Sequence, residues 1–283
     1  KRTVIIGAGG QLGRALQAVL PDAATLDLPD FDVTDAEQVA AIDWKQYGTI
    51  INAAAYTAVD AAETPSGRAD CWAANVTGVA ALCRVATEHR ITLVHISSDY
   101  VFDGTRAEHT EDEPISPLGV YGQTKAAGDV LVGQVPQHYL VRTSWVIGDG
   151  RNFVRTMADL AARGVSPSVV ADQYGRLTFT STLAAGIVHL LGSSATYGTY
   201  NLTNDGPTRS WAELAAQVFS AVGRDAADIT PVTTDQYADG KQLAPRPQHS
   251  TLSLTKIKST GFAVPEADAE LTDYLDRLHP SGY

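Results

Sequence analysis

The stretch that most limits the fold is "TVIIGAGGQLGRALQAVL", residues 3–20. Thr3 to Ile6 are apolar or β-branched without alternation, as in a strand buried on both faces. Leu12, Leu16 and Val19 then recur at helical spacing. Gly7, Gly10 and Gly13 lie between or beside them. Gly7 permits a tight turn, Gly10 lets backbone approach a pyrophosphate, and Gly13 lets helix and strand pack closely, with the helix N-terminus facing the phosphates. Gln11 and Leu12 complete this expected cofactor-binding run.

The same alternation continues. "AATLDL" and "TIINAAA" read as strands, with "DAEQVAAIDW" a helix between them opened by Thr34 or Asp35. "GRADCWAANVTGVAALCRVATEHR" reads as one long helix and "ITLVHISS" as a fourth strand. A loop from Asp103 to Leu118 leads to a helix holding Tyr121, then to the strand "HYLVRTSW". Strands alternating with helices predict an α/β fold, a Rossmann-type doubly wound parallel sheet. Beyond about residue 147 the rhythm loosens, and "SPSVVADQYGRL" and "PVTTDQYADGKQLAPRPQHSTL" read as loop-rich. The expected organisation is a dinucleotide-binding domain of residues 1–146 plus about 178–203. A smaller, interleaved C-terminal substrate domain takes about 147–177 and 204–283.

An acid at the end of the second strand usually takes the ribose 2′-hydroxyl and favours NAD. Asp27 holds that place and Asp32 is a second candidate. Arg14 is the one cation nearby, so the residues lean towards NADH or dual use.

Ser97 and Ser98 end the fourth strand at the edge where doubly wound sheets bind ligands. Tyr121 and Lys125 are four apart and share a helix face. Reducing a ketone needs hydride on carbon and a proton on oxygen. A phenol, with its ordinary pKa near about 10, is a better donor and acceptor when a cation one turn away stabilises the phenolate. A serine hydroxyl can hydrogen-bond the carbonyl oxygen. Ser98, Tyr121 and Lys125 are therefore the candidate catalytic set.

These segments together resemble the dTDP-4-dehydrorhamnose reductase family of extended short-chain dehydrogenases/reductases. "GAGGQLG", "INAAAYTAVDAAE", "NVTG", "SSDYVFDG", "YGQTK", "VRTSWVIG", "NFVRTM" and "ADQYGR" carry the resemblance over about residues 3–176, and "RPQHSTLSLTKIKSTGF" extends it more weakly. It implies reduction of the 4-keto group of dTDP-4-dehydro-6-deoxy-L-mannose to dTDP-L-rhamnose with NADPH, NADH also being accepted. In that resemblance Ser98 takes the serine/threonine role, Tyr121 gives the proton, and Lys125 tunes it and binds nicotinamide ribose. Asn75 steadies its helix and a water chain and joins the cofactor set. Val33, Ala53, Ala54, Ala55 and Tyr56 line the cofactor. Thr57, Val59, Asp99, Tyr100 and Trp145 shape the sugar pocket, and Asn152, Phe153, Gln173, Arg176 and Arg246 hold the nucleotide part.

Within the superfamily, 4,6-dehydratases resemble one another in an Asp-Glu pair after the Ser/Thr. Here Asp99 is followed by Tyr100, which favours simple reduction. Two departures from the family pattern stand out. Leu177 replaces the proline of "DQxGxPT", which is expected to loosen that loop. Ala15 replaces a glutamate that bridges some members into metal-linked dimers, so a monomer without metal is expected. The rivals are a reductase or epimerase of another nucleotide sugar, and a non-catalytic cofactor-binding regulatory subunit. Presence of both Tyr121 and Lys125 argues against the latter.

The balance of 21 basic against 32 acidic residues gives a net charge of -11, which disfavours nucleic acid and anionic membranes as partners. With no apolar run of bilayer length or signal peptide read in the sequence, a cytoplasmic enzyme acting on a small molecule is expected. Cys71 and Cys83, twelve apart in one helical stretch, read as reduced packing residues. The opening Lys1-Arg2, with Met157 the single methionine, is expected of a chain trimmed or cut from a longer one.

Overall fold

The structure is a computed structural model that describes residues 2–278. Lys1 and residues 279–283, which fall inside the expected domain spans, lie outside the described residues. Strand β1 (Arg2–Ile6) turns through the glycines into α1 (Gln11–Val19). β2 (Ala24–Leu26), α2 (Ala36–Ala41) and β3 (Tyr47–Asn52) follow. Of the two candidate caps for α2 it is Asp35 that serves, accepting from the Glu37 and Gln38 N–H groups.

The long helix expected next is interrupted. α3 (Pro65–Trp72) and α4 (Val79–His89) are joined by a π-helical turn, residues 73–78, which widens the coil at Asn75. Such turns insert a residue and rotate the side chains beyond them. β4 (Thr92–Ser98), α5 (Val120–Val132) and β5 (His138–Thr143) come after. Short pieces then intervene: β6 (Val146–Ile147), α6 (Phe153–Ala162), β7 (Ser168–Val170), β8 (Tyr174–Gly175) and β9 (Thr178–Phe179). α7 (Thr180–Gly192) leads back to the main sheet through β10 (Gly198–Asn201).

That sheet has six parallel strands in the order β2-β1-β3-β4-β5-β10. The chain reverses its winding between β1 and β3, and a crevice opens beyond the carboxyl ends there. Side chains alternate across the sheet as the pleat requires. Val4 and Ile6 face a core with Val39 of α2 and Leu82 of α4. Ile5 faces the other, with Leu16 of α1 and Leu183 and Ile187 of α7.

The remaining elements are β11 (Arg209–Ser210), α8 (Trp211–Ala221), β12 (Thr230–Val232), α9 (Thr234–Ala238), α10 (Thr255–Ser259) and α11 (Ala267–Leu278). The segments that read as loop-rich hold paired strands instead, β7 with β12 and β8 with β11. A separate core forms here around Val154, Phe179, Phe219 and Leu271. Leu177 lies in it at 1% exposure, so the leucine anchors its segment rather than loosening it. Emptying a site of this kind by large-to-alanine replacement costs about 2–5 kcal/mol. Leu254 and Ile257, from the late chain, bury under the main sheet, so the C-terminal stretch contributes to both cores.

Candidate active site

Backbone builds the crevice. Gly7 has φ +79°, and a Cβ there would stand 2.5 Å from the Ala54 nitrogen. Gly13 packs so closely that a Cβ would strike the Gly7 carbonyl. No side chain caps α1, which leaves its first N–H groups for an anion. The crevice is open to solvent, with Gly7 and Gly10, Leu28, Phe31 and Val33, and Ala53, Ala54, Ala55 and Tyr56 among the residues lining it. Asp27, Asp32 and Asp70 also line it. The Asp27 carboxylate accepts from the Gly9 and Leu28 N–H groups, so it is fixed beside the turn. Asp32 is held by the Thr34 N–H and hydroxyl. Arg14 lies outside this wall, its guanidinium donating to the Gly9 and Asp149 carbonyls. An uncapped helix end, a close backbone floor and a fixed carboxylate suit a dinucleotide.

Asn75 does not reach the crevice wall. Its amide clamps Tyr56 from both sides, Oδ1 accepting from the Tyr56 N–H at 2.9 Å and Nδ2 donating to the Tyr56 carbonyl at 3.1 Å. The same Nδ2 donates to Thr124 Oγ1, tying the wall to α5. The π turn is what aims it there.

Ser98, Tyr121 and Lys125 come together where β4 ends and α5 begins. Ser98 Oγ donates to Asp99 Oδ1 at 3.1 Å and accepts from the Tyr100 N–H, with its hydroxyl near enough to the Tyr121 phenol to favour the phenolate. Tyr121 and Tyr56 of the crevice both pack against the cluster of Ala62, Cys71 and Val120, and Tyr121 meets the Tyr100 ring edge-on at 5.3 Å. Burial pushes its phenol well above the ordinary range, with the nearby Ser98 hydroxyl opposing and the Asp99 carboxylate adding to the rise. The lowering expected from Lys125 is not seen, and the phenol is held as a neutral acid. Lys125 is 2% exposed and donates to the Ile96 carbonyl at 2.6 Å. Burial pulls its ammonium down to about 8, with Asp129 pulling the other way. Asp99 is buried too, and burial pushes its carboxyl up to about 6.

Beyond Tyr100 a second cavity opens to solvent. Trp145, Phe153, Gln173, Trp211, Thr234 and Arg246 are among its walls. Trp145 stacks on Trp211 at 3.6 Å, and Phe153 tilts against Trp211 at 4.5 Å. Trp145 has φ +49°, a left-handed backbone that a bulky residue adopts only where its surroundings enforce it. Arg246 is paired with Asp60 through two contacts at 2.8 and 2.9 Å, and Asp60 also accepts from the Ala244 N–H.

Several expected substrate residues stand elsewhere. Asn152 is a correction: it caps α6 through Arg155 N–H, and its Nδ2 is spent on the Gly148 and Gly150 carbonyls and the Tyr274 hydroxyl. Arg176 is another, buried at 8% exposure with its guanidinium on the Leu252 and Gly206 carbonyls. Thr57 is exposed and outside the pocket wall, and Val59 lines a small cleft beside Tyr100 and Tyr121. Asp99 is buried, accepts from the Ser98 hydroxyl, and lines neither the crevice nor the pocket. Sequence reasoning missed Trp211, Thr234, Asp60 and Glu63. Glu63 Oε1 accepts from the Val120 N–H at 2.8 Å and so caps α5 from 57 residues away, which no local pattern announces.

Known proteins resemble this chain over nearly its whole length. The family model described as the RmlD substrate binding domain matches residues 1–279, and the chain belongs to that family. A dTDP-4-dehydrorhamnose reductase of Aggregatibacter actinomycetemcomitans is 38% identical over 94% of this chain and 95% of its own length. A probable dTDP-4,6-dihydroxy-2-methyloxan-3-one 4-ketoreductase of Streptomyces antibioticus is 37% identical over 93% of this chain and 90% of its own. The crystal structure of dTDP-4-dehydrorhamnose reductase from Bacillus anthracis in complex with NADP superposes with a TM-score of 0.89 at 32% identity, covering 98% of this chain and 99% of that one.

Proposed function

We propose that this chain reduces the 4-keto group of dTDP-4-dehydro-6-deoxy-L-mannose to dTDP-L-rhamnose with NADPH, NADH also being accepted. The observation that carries this reading is the position of Tyr121. It is a neutral phenol beside Tyr100, which lines the aromatic pocket, and it shares a packing cluster with Tyr56, which lines the glycine-floored dinucleotide crevice, with Ser98 close by.

When bound, the nicotinamide supplies the hydride. The chain's residues do the rest. Gly7, Gly10, Gln11, Leu12 and Gly13 hold the pyrophosphate against the α1 N-terminus, and Asp27 takes a ribose hydroxyl. Ser98 turns its single hydroxyl hydrogen from Asp99 to the sugar's carbonyl oxygen and stabilises developing charge. Tyr121 transfers its phenolic proton to that oxygen, and the Lys125 ammonium stabilises the phenolate left behind. Trp145, Trp211 and Phe153 enclose the base, and Gln173 and Thr234 offer it hydrogen bonds. Arg246 faces the diphosphate. Residues 1–146 with 178–203 serve the dinucleotide, and 147–177 with 204–283 the sugar nucleotide.

With Tyr100 where a dehydratase would carry glutamate, elimination of water lacks its second carboxyl. With Ala15 where a bridging glutamate would stand, the enzyme works in the cytoplasm as a monomer without metal. The test is NAD(P)H oxidation by purified protein with this keto-sugar. No oxidation by the wild type, or an unchanged rate in Tyr121→Phe, overturns the proposal. The 37% identity to the Streptomyces antibioticus ketoreductase favours a second reading, the same chemistry on another dTDP-4-keto sugar. A panel of dTDP- and UDP-keto-sugars, compared by kcat/KM, separates the two.

A further inference from the structure

Lys125 is buried, and burial works against its charge. Among the described residues it forms no ion pair within 4.0 Å, and its ammonium donates to the Ile96 carbonyl instead. One turn further along α5 lies Asp129, also buried at 5% exposure. Asp129 Oδ2 meets Arg142 Nε of β5 at 2.9 Å, while Oδ1 is buried without a hydrogen-bond partner. Arg142 is 5% exposed, donates to the Glu111 carbonyl at 3.0 Å, and lies 5.1 Å from the Phe102 ring centre. Three charged side chains thus run inward from Tyr121, none of them reaching solvent.

We propose that Asp129, held by Arg142, is a positioning residue that keeps Lys125 protonated, and so keeps it able to receive the negative charge left on Tyr121. This rests on the reductase reading above. The other groups facing Lys125 cannot substitute for Asp129. His95 of β4 lies buried beside it, and burial together with the Lys125 charge holds that imidazole neutral. Cys71 of α3 is a thiol raised by burial, and Tyr121 is a neutral phenol. Asp129 is the carboxylate within range, and the Arg142 guanidinium and Ser97 hydroxyl oppose the tendency of burial to protonate it. An isolated carboxylate there would take up a proton. Burial still leaves its carboxyl above the ordinary range, and the pair with Arg142 counters that rise, at the expense of weakening its pull on Lys125.

Asp129→Asn keeps the shape and removes the charge. The alkaline limb of the kcat profile is expected to move towards neutral pH by about one unit, with KM for the sugar unchanged. Asp129→Glu restores the limb if it folds. An independent measurement needs no turnover. Below the Lys125 titration the wild type gains from the Asp129–Lys125 attraction, and above it that gain is gone. The thermal penalty of Asp129→Asn is therefore expected to be larger at about pH 6 than at about pH 9. In a Lys125→Met background the same substitution should cost equally at both. Should Asp129→Asn not fold, the Asp129→Asn/Arg142→Met double variant removes both buried charges together, and its limb should still move downwards. A limb that stays in place while kcat falls evenly at all pH overturns the proposal, as does a penalty independent of pH with Lys125 present. Absence of any turnover by the wild type would instead overturn the reductase reading, leaving the stability cycle to judge Asp129.

Discussion

The crevice and the aromatic pocket are built by opposite means. The crevice is a product of backbone: two close approaches, an uncapped helix end, and carboxylates fixed by neighbouring amides within the first 35 residues. The pocket is a product of side chains brought from positions 100, 145, 153, 173, 211, 234 and 246. Backbone sites tolerate change of side chain but not of glycine. Side-chain sites change specificity one residue at a time, which suits a family whose relatives act on different keto-sugars.

The sharpest way to test the division is at its border. Tyr121→Phe should lower kcat by about 10²–10⁴-fold, the usual worth of a positioned general acid, while NADPH affinity measured by fluorescence stays within a few-fold. A loss of cofactor binding on the same scale would show that the border does not exist. Gly13→Val should come next, since the added atoms meet the Gly7 carbonyl and the Ala8 backbone. An overpacking cost of about 1–3 kcal/mol is expected, read as a lower Tm together with weaker cofactor binding. Unchanged affinity would mean that the glycine serves packing alone.

Trp211→Ala should raise KM for the sugar nucleotide about two- to tenfold by removing the stacking partner of Trp145, at about 0.5–1.5 kcal/mol of lost aromatic contact. Cofactor affinity should not move, and a parallel fall in both would join the two regions. The smallest effect is expected from Asp27→Asn, which keeps an acceptor for the Gly9 N–H and removes the charge. The NADPH:NADH ratio of kcat/KM should rise about fivefold, one like-charge repulsion near the surface being worth on the order of 1 kcal/mol. No change in the ratio would place the 2′-phosphate away from Asp27.

Legibility in sequence follows the same division. Buried strands, the glycine spacing and the Tyr121–Lys125 face are local periodicities, and residues 3–20 alone predict the turn that the structure shows. The pocket is long-range. Trp211 is an ordinary apolar residue at a helix start until Trp145, 66 positions earlier, is found stacked on it. Asn152 and Arg176 have the polarity of ligand-binding residues, but helix capping and buried carbonyls need the same donors. Leu177 in place of proline speaks only of backbone stiffness when taken by itself, whereas its neighbours in space supply an apolar socket.

The widened turn between α3 and α4 has one further consequence. An extra residue there advances the helix by about 100° of rotation, from its 3.6-residue period. Before the turn the helix presents Cys71 to α5, within it Asn75 clamps Tyr56, and at its close Gly78 lies against Val33 of the crevice wall. The turn works as a phase shifter. It lets a single rod address the proton donor's surroundings with one edge and the dinucleotide's with another, and a one-residue deletion there would detune both at once.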